Sequence, residues 1–247
     1  MRYFARLTYN GCRYHGWQRQ PNAITVQQTL DESLSTLLNE PITSVGCGRT
    51  DTGVHASAYF VHFDTSRTPM PNFVFRINKL LPPDIAVQRL YHVHEEAHAR
   101  FDARARSYQY HLIGLKDPFR IDTATFYPHL DSIDIEALQS VAALLKQYTD
   151  FKPFAKTGSD VATYRCRIDR AEWQLAQGGY TFHITADRFL RGMIRLIVGT
   201  SLLVARGKLP IAQVERALDT QTPLPKAISA PPDGLFLSDI QYDYIEH

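Results

Sequence analysis

Hydrophobic and polar positions alternate over the first residues and then switch to a helical spacing. The stretch "YFARLTY" at 3–9 is typical of a strand, and the loop that follows, "NGCRYHGWQRQPNA", is rich in glycine, arginine and aromatic residues. The next apolar side chains share one helical stripe, and Thr25 with Gln28 three residues later predicts a capping box at the start of that helix. The stripe comprises Val26, Leu30, Leu34, Leu37 and Leu38.

The same patterns predict the remaining elements. Strands are expected at 55–65, 84–93, 101–114 and 233–242, helices at 72–81, 135–148, 188–209 and 211–220, and a hairpin of 167–175 with 180–187 around Gln177, Gly178 and Gly179. In the helix at 188–209 we expect Phe189, Met193, Leu196 and Ile197 to face a core, with Arg191 and Arg195 one turn apart. Ser132 or Asp134 would open the helix at 135–148.

This order of strands and helices predicts an α+β fold with helices on one face of a sheet. A boundary near Ala103 would divide the chain into two α+β halves, 1–103 and 104–247. No linker rich in Pro, Gly or Ser separates them, so we expect one continuous structure with a cleft between the halves.

One predicted strand has an unusual face. In "FDARARSYQYHLIG", Arg104, Arg106, Tyr108 and Tyr110 would share one side. Arginine and tyrosine suit a polyanion that carries aromatic bases, because phosphates pair with guanidinium groups and bases stack on rings. An exposed sheet face with solvated arginines would have the same pattern.

Composition narrows the class of protein without identifying it. The chain has 44% hydrophobic and 21% charged residues and a net charge of +2, too mild to indicate a nucleic-acid binder by itself. Arginine supplies 20 of the 27 basic residues, however, and it is the better partner for phosphate and bases. We expect a cytoplasmic protein, since the first residues do not resemble a signal peptide and "LIVGTSLLVA" is too short to span a bilayer. The three cysteines, Cys12, Cys47 and Cys166, suggest neither a disulfide framework nor a zinc site.

The segment "VGCGRTDTGVHA", residues 45–56, contains the strongest chemical signal. Gly46, Gly48 and Gly53 surround Arg49 and Asp51, as if to present these two side chains to another molecule. A tight turn in which the aspartate binds its own backbone would have a similar sequence. An ionised carboxylate can act as a nucleophile or a base, and a nearby guanidinium favours that charged form.

Two other site types fit the sequence less well. The histidines of "HVHEEAH", His92, His94 and His98, lack a known metal-binding spacing, so no metal is expected. "DTG" at 51–53 is also found in aspartic proteases, whose carboxylate pair comes from a second such motif or from a small symmetric dimer. The sequence has no second motif, the residues before Asp51 are not an apolar strand, and a cation at Arg49 would oppose a shared proton.

The motifs together resemble the tRNA pseudouridine synthase A family. "GCGRTDTGVHA" is similar to that family's GRTDxGVHA motif. Further similar segments follow in family order along essentially the whole chain: "YNGCRYHGWQRQ", "TVQQTL", "LPPDIAV", "HARFDARARSYQY", "RFLRGMIRLIVGT" and "APPDGLFL".

The resemblance implies a function and a set of site residues. The fold would be that of pseudouridine synthases, with the sheets of the two halves joined around a basic cleft. The enzyme would isomerise uridine to pseudouridine at positions 38, 39 and 40 of the tRNA anticodon stem-loop, without cofactor or metal, and would act as a homodimer. Asp51 would be the nucleophile, attacking either C6 of the base or C1′ of the ribose. Tyr108 would stack on the base, Arg49 would hold the flipped nucleotide, Arg195 would pair with Asp51, and Leu235 or Leu237 would pack near the uracil.

The sequence departs from the family pattern at Asn10, Cys47 and Asp187, where Asp, Ala and Asn are common. These changes are expected to affect loop hydrogen bonds and not the reaction. Two other functions stay open: an RNA-binding relative without catalysis, against which the presence of Asp51 argues, and a pseudouridine synthase with another RNA target.

Overall fold

A computed structural model describes residues 1–156, 158 and 162–245. In these residues it contains nine strands and five α-helices, which confirms the α+β class. The strands are β1 Arg2–Tyr9, β2 Val45–Gly46, β3 His55–Asp64, β4 Ile85–Val93, β5 Ala105–Ile113, β6 Thr125–Phe126, β7 Ile168–Ala176, β8 Gly179–Ala186 and β9 Leu235–Gln241. The helices are α1 Val26–Leu38, α2 Phe73–Leu80, α3 Ile135–Leu145, α4 Met193–Ala205 and α5 Ile211–Thr220.

The chain forms two compact units. Met1–Arg104 and the C-terminal segment from Phe236 make the first, and Ala105–Leu235 makes the second. The division of the sequence at 103/104 stays a prediction. The unit boundaries of the structure differ from it in that the last strand groups with the N-terminal half of the chain.

In the first unit the sheet has the order β4, β1, β3, β9, with β2 paired to β3. β1 runs antiparallel to both of its neighbours, whereas β9 is parallel to β3, with Ala56 opposite Leu237. Phe4, Leu7 and Phe60 are fully buried in this sheet. The predicted stripe of α1 is also buried, except for the partly exposed Leu37.

Thr25 starts α1 as predicted. Its side chain accepts a hydrogen bond from the Gln28 backbone N–H at 3.3 Å. The Gln28 side-chain amide donates to Glu32 Oε1 at 3.0 Å, so it is directed along the helix and not back towards the cap. The role of Thr25 in the predicted capping box is therefore confirmed, whereas the Gln28 side chain does not cap the helix.

In the second unit β8 lies between β5 and β7 in an antiparallel arrangement, and β6 runs parallel to β5. The predicted hairpin is confirmed: β7 and β8 are joined by Gln177 and Gly178. Asp134 caps α3 by accepting hydrogen bonds from the backbone N–H groups of Glu136 and Ala137, which decides between the two predicted caps. α4 is apolar and buried along almost its whole length.

The predicted start of α4 was wrong. The helix begins at Met193, because Gly192 before it adopts a left-handed conformation with φ of 69°. Phe189 and Arg191 therefore lie outside the helix, and Arg191 is not one helical turn from Arg195. Among the helices described, none combines the length and the apolar character needed to cross a bilayer.

Candidate active site

Arg49 and Asp51 lie on the loop that joins β2 to β3, residues 47–54, which we call the glycine-rich loop. Arg49 is exposed and Asp51 is partly buried. Asp51 opens a tight turn in which its carbonyl accepts a hydrogen bond from the Val54 N–H at 3.1 Å. Gly53 closes this turn with φ of 78°, a conformation that glycine adopts without strain. The turn therefore fixes the backbone on the C-terminal side of Asp51.

The loop after β1, residues 10–20, packs against the glycine-rich loop, and we call it the first loop. The Trp17 N–H donates to the Thr50 carbonyl and the Gly53 N–H donates to the Tyr14 carbonyl, both at 3.3 Å. The Gly11 N–H donates to Nδ1 of the fully buried His55 at 3.0 Å. The two loops thus hold each other in place.

Gly46 has a role that the sequence did not indicate. A Cβ atom there would lie 2.2 Å from the Tyr59 hydroxyl and 2.6 Å from Nε1 of Trp17. The space left by its missing side chain is therefore filled by aromatic residues of the protein itself.

The departures from the family pattern are accommodated locally. Asn10 Oδ1 accepts from the Cys12 N–H at 3.0 Å, a turn that an aspartate would also make. Cys47 is buried, and its N–H donates to the Phe60 carbonyl. Asp187 Oδ1 accepts from the backbone N–H groups of Arg167 and Arg188.

Leu235 and Leu237, the predicted neighbours of the uracil, lie on β9. Leu235 is 5% exposed and Leu237 is 1% exposed, so both belong to the packed interior of the protein. Leu237 lies beside Ala56, which comes directly after His55 at the start of β3. Of the predicted site residues, the first unit therefore carries Arg49, Asp51 and Leu237.

The second unit carries Tyr108, Arg195 and Leu235. Tyr108 is partly buried on β5, and its ring packs edge to face with Phe189, with the centroids 5.2 Å apart. Phe189 was predicted to be a core residue of a helix, so its contact with Tyr108 was missed. In the sequence, only the position of this aromatic residue among arginines could have suggested that Phe189 belongs to a binding site.

Arg195, in the first turn of α4, binds the segment before β9. Its Nε donates to the Ala230 carbonyl at 2.6 Å, and the Ala230 N–H donates back to the Arg195 carbonyl at 2.9 Å. The backbone of this segment also lies very close to α4, since a Cβ atom on Gly199 of that helix would lie 1.8 Å from the Ile228 carbonyl oxygen. Arg195 thus anchors the chain that leads to Leu235.

Three of the four residues predicted to share an arginine and tyrosine face, Arg106, Tyr108 and Tyr110, alternate along β5, but only part of this face is accessible. Tyr110 is completely buried, and its hydroxyl hydrogen bonds with the Thr125 hydroxyl and donates to the Pro231 carbonyl. Burial raises the pKa of this hydroxyl, so it stays protonated and able to donate at neutral pH. Arg104 precedes β5 and forms an ion pair with Asp243. Arg106 and Tyr108 are the two members of that face that are partly exposed on the strand.

The three histidines considered for a metal make other contacts. His98 Nδ1 accepts from the backbone N–H groups of Arg100 and Phe101, while the His92 and His94 rings pack against Tyr3 and Tyr244. Across 1–156, 158 and 162–245, no cluster of three or more His, Cys, Asp or Glu side chains is arranged to hold a metal ion.

Comparison with known proteins connects this site to a family. A family model described as tRNA pseudouridine synthase matches residues 145–243. The tRNA pseudouridine synthase A of Porphyromonas gingivalis is 46% identical over 246 residues, 98% of this chain and 97% of that protein. The protein of that name from Bacteroides thetaiotaomicron is 44% identical over 98% of this chain and 90% of its own length. A more distant relative, tRNA pseudouridine synthase A 2 of Clostridium perfringens, is 32% identical over 96% of this chain and 97% of its own length. With this identity along nearly its whole length, the chain belongs to the tRNA pseudouridine synthase A family, the isomerases that convert uridine to pseudouridine in tRNA.

Proposed function

We propose that this enzyme isomerises uridines 38, 39 and 40 in the anticodon stem-loop of tRNA, with Asp51 as nucleophile and without a cofactor. The observation that carries the proposal is the placement of Asp51. Its backbone is fixed by a turn on one side and by the first loop on the other, and Arg49 is exposed two residues away. A carboxylate held in this way can meet a reacting carbon without first having to be ordered.

The reaction needs no external reagent, because all its atoms come from the nucleotide and water. The bond between ribose C1′ and N1 of the base breaks, and a bond between C1′ and C5 forms. The hydrogen of C5 leaves as a proton, and N1 gains a proton from solvent. Asp51 is bonded covalently to the nucleotide in between and is released at the end, so that the carboxylate is regenerated.

The remaining predicted residues act on the flipped nucleotide. A base within a stem must leave its stack to be reached, at a cost of a few kcal/mol. Tyr108 stacks on the extruded base, with its ring oriented by Phe189. Arg49 holds the nucleotide through its exposed guanidinium, Arg195 pairs with Asp51, and Leu235 or Leu237 packs near the uracil. The active form is a homodimer in the cytoplasm.

The test is tritium release from unmodified tRNA labelled at C5 of uridine. Wild-type enzyme is expected to release tritium, and Asp51→Asn is expected to release none while binding tRNA within a few-fold of wild type. Asp64→Asn is the matched control, since it removes an exposed carboxylate of the same unit, paired with Arg2, and is expected to keep full activity.

A second substrate tests the position of the uridines. A tRNA with cytidine at 38, 39 and 40 is expected to give no release. Release from that tRNA would contradict the anticodon-arm assignment and favour another target. A large loss of tRNA binding in Asp51→Asn would make Asp51 a structural residue. Binding without release by wild type would favour an RNA-binding protein without catalysis.

A further inference from the structure

An aromatic cluster lies beneath the glycine-rich loop in the first unit. It consists of Tyr9 at the end of β1, Tyr59 on β3 and Trp17 from the first loop. The Trp17 and Tyr59 rings are 4.3 Å apart, the Tyr9 and Tyr59 rings are 5.5 Å apart, and all three residues are at most 4% exposed. Packing of the rings accounts for aromatic side chains at these positions, but it does not account for the hydroxyl groups of Tyr9 and Tyr59.

Both hydroxyl groups bind the glycine-rich loop. Tyr9 Oη shares a buried hydrogen bond of 2.9 Å with Thr50 Oγ1, and Tyr59 Oη donates to the Gly48 carbonyl. The loop is therefore held on either side of Arg49, at the residue before it and at the residue after it.

Thr50 is held at both its side chain and its backbone. Its hydroxyl bonds with Tyr9, its carbonyl accepts from the Trp17 N–H, and it is 8% exposed. Because the peptide bond from Thr50 leads directly into Asp51, fixing Thr50 fixes the point from which the Asp51 side chain starts. The turn closed by Gly53 fixes the other side.

We propose that Tyr9 is a positioning residue for the reaction, acting through the Thr50 hydroxyl to hold Asp51 at its attacking distance. This inference rests on the proposed function, in which Asp51 is the nucleophile. Nucleophilic attack is sensitive to displacements of about 1 Å, whereas tRNA binding is spread over many contacts. Loss of the hydrogen bond therefore lowers the chemical rate and leaves substrate affinity unchanged.

The experiment compares Tyr9→Phe, Thr50→Val and the double variant in single-turnover tritium release at saturating tRNA. Tyr9→Phe keeps the ring of the cluster, and Thr50→Val keeps the shape of the side chain. Each single variant is expected to lower the rate by about tenfold or more, with the Kd for tRNA within about twofold of wild type. The double variant is expected to be no slower than the slower single variant, because both remove one bond.

Two controls separate positioning from folding. Thr50→Ser restores the hydroxyl and is expected to recover most of the rate. Tyr242→Phe removes another buried tyrosine hydroxyl of the same unit, which donates to the Ala99 carbonyl, and is expected to keep the wild-type rate. Thermal unfolding of Tyr9→Phe and Tyr242→Phe is measured in parallel, and similar shifts in Tm are expected.

The outcomes distinguish this inference from the proposed function. A wild-type rate for Tyr9→Phe, with Asp51→Asn inactive, would overturn the positioning role alone. Equal rate losses in Tyr9→Phe and Tyr242→Phe would also overturn it, because the effect would then be one of general stability. Failure of Thr50→Ser to recover the rate would do the same. Activity in Asp51→Asn would instead overturn the proposed function on which the inference rests.

Discussion

Tyr108 tests how a single side chain contributes to base recognition. Its ring is oriented edge to face by Phe189, so the ring, and not the hydroxyl, is the part expected to stack on a base. Stacking of a base on an aromatic side chain stabilises binding by about 1 to 3 kcal/mol. We expect Tyr108→Phe to keep most of the activity and Tyr108→Ala to lose about tenfold to a hundredfold in single-turnover rate. Similar losses in both variants would assign a function to the hydroxyl.

For single residues, the sequence was enough to predict side chains that could react or bind, but not the residues that hold those side chains in position. Arg49 and Asp51 could be singled out because the glycines around these two charged side chains leave room for another molecule. Tyr9 and Thr50 carried no such signal, since a tyrosine at the end of a strand is typical of a sheet. Their hydrogen bond joins residues 41 positions apart in sequence, and only the folded chain brings them together.

The packing of the first loop on the glycine-rich loop leads to a prediction about Gly16. This residue has φ of 80°, and a Cβ atom there would lie 2.3 Å from the Thr50 carbonyl oxygen. We expect Gly16→Ala to push the two loops apart and to reduce the rate of tritium release more than tenfold, since the backbone next to Asp51 must move.

Gly178 provides a matched control for this substitution. Its φ is 74°, so alanine carries a similar backbone strain of about 1 to 2 kcal/mol, but among the residues that the structure describes no atom beyond its chain neighbours lies within 4 Å of the added Cβ. Gly178→Ala is expected to lose about 1 to 2 kcal/mol in urea unfolding from this strain alone and to keep its activity. Equal activity in the two variants would show that the loop contact is not needed for catalysis.

Elements were predictable where a pattern was long enough to define a period. α5 was predicted with the bounds that it has, Ile211–Thr220. The two-residue strands β2 and β6 are too short to show alternation, and neither was predicted. The start of α4 was misplaced because Phe189, Met193 and Leu196 have the spacing of a helix. Gly192, which lies between the first two of them, is not helical, and the helix begins only after it.

For the whole chain, the order of elements predicted the α+β class, but not which strands are neighbours. The parallel pairing of β9 with β3 joins residues about 180 positions apart in sequence. Hydrophobic alternation shows which face of a strand is buried and contains no information about its partner. The grouping of the C-terminal segment with the first unit therefore required the structure.

Two buried titratable groups make the stability of the fold depend on pH in opposite directions. Burial raises the pKa of the Asp31 carboxyl on α1 to about 6, although hydrogen bonds from Ser44 lower it. Burial also lowers the pKa of His62 to about 4. Between pH 4 and 6 the folded state therefore holds the Asp31 proton that the unfolded state has lost, and the unfolded state holds a His62 proton that the folded state lacks. Asp31 lowers the free energy of unfolding as pH rises through this window, and His62 raises it.

Asp31→Asn isolates the contribution of the carboxyl, because His62 is unchanged in both proteins. The side-chain oxygen of asparagine can still accept the hydrogen bonds from Ser44. Relative to this variant, the wild type is expected to lose roughly 2 kcal/mol of unfolding free energy between pH 4 and 7, since its pKa lies about two units above the value of an unfolded aspartate, which is already about half ionised at pH 4. Urea unfolding at several pH values measures the difference. Glu32→Gln on the same helix is the control, because it makes the same carboxyl-to-amide change at an exposed position. A difference between wild type and Asp31→Asn that does not change between pH 4 and 7 would mean that Asp31 has the same pKa in the folded and the unfolded protein.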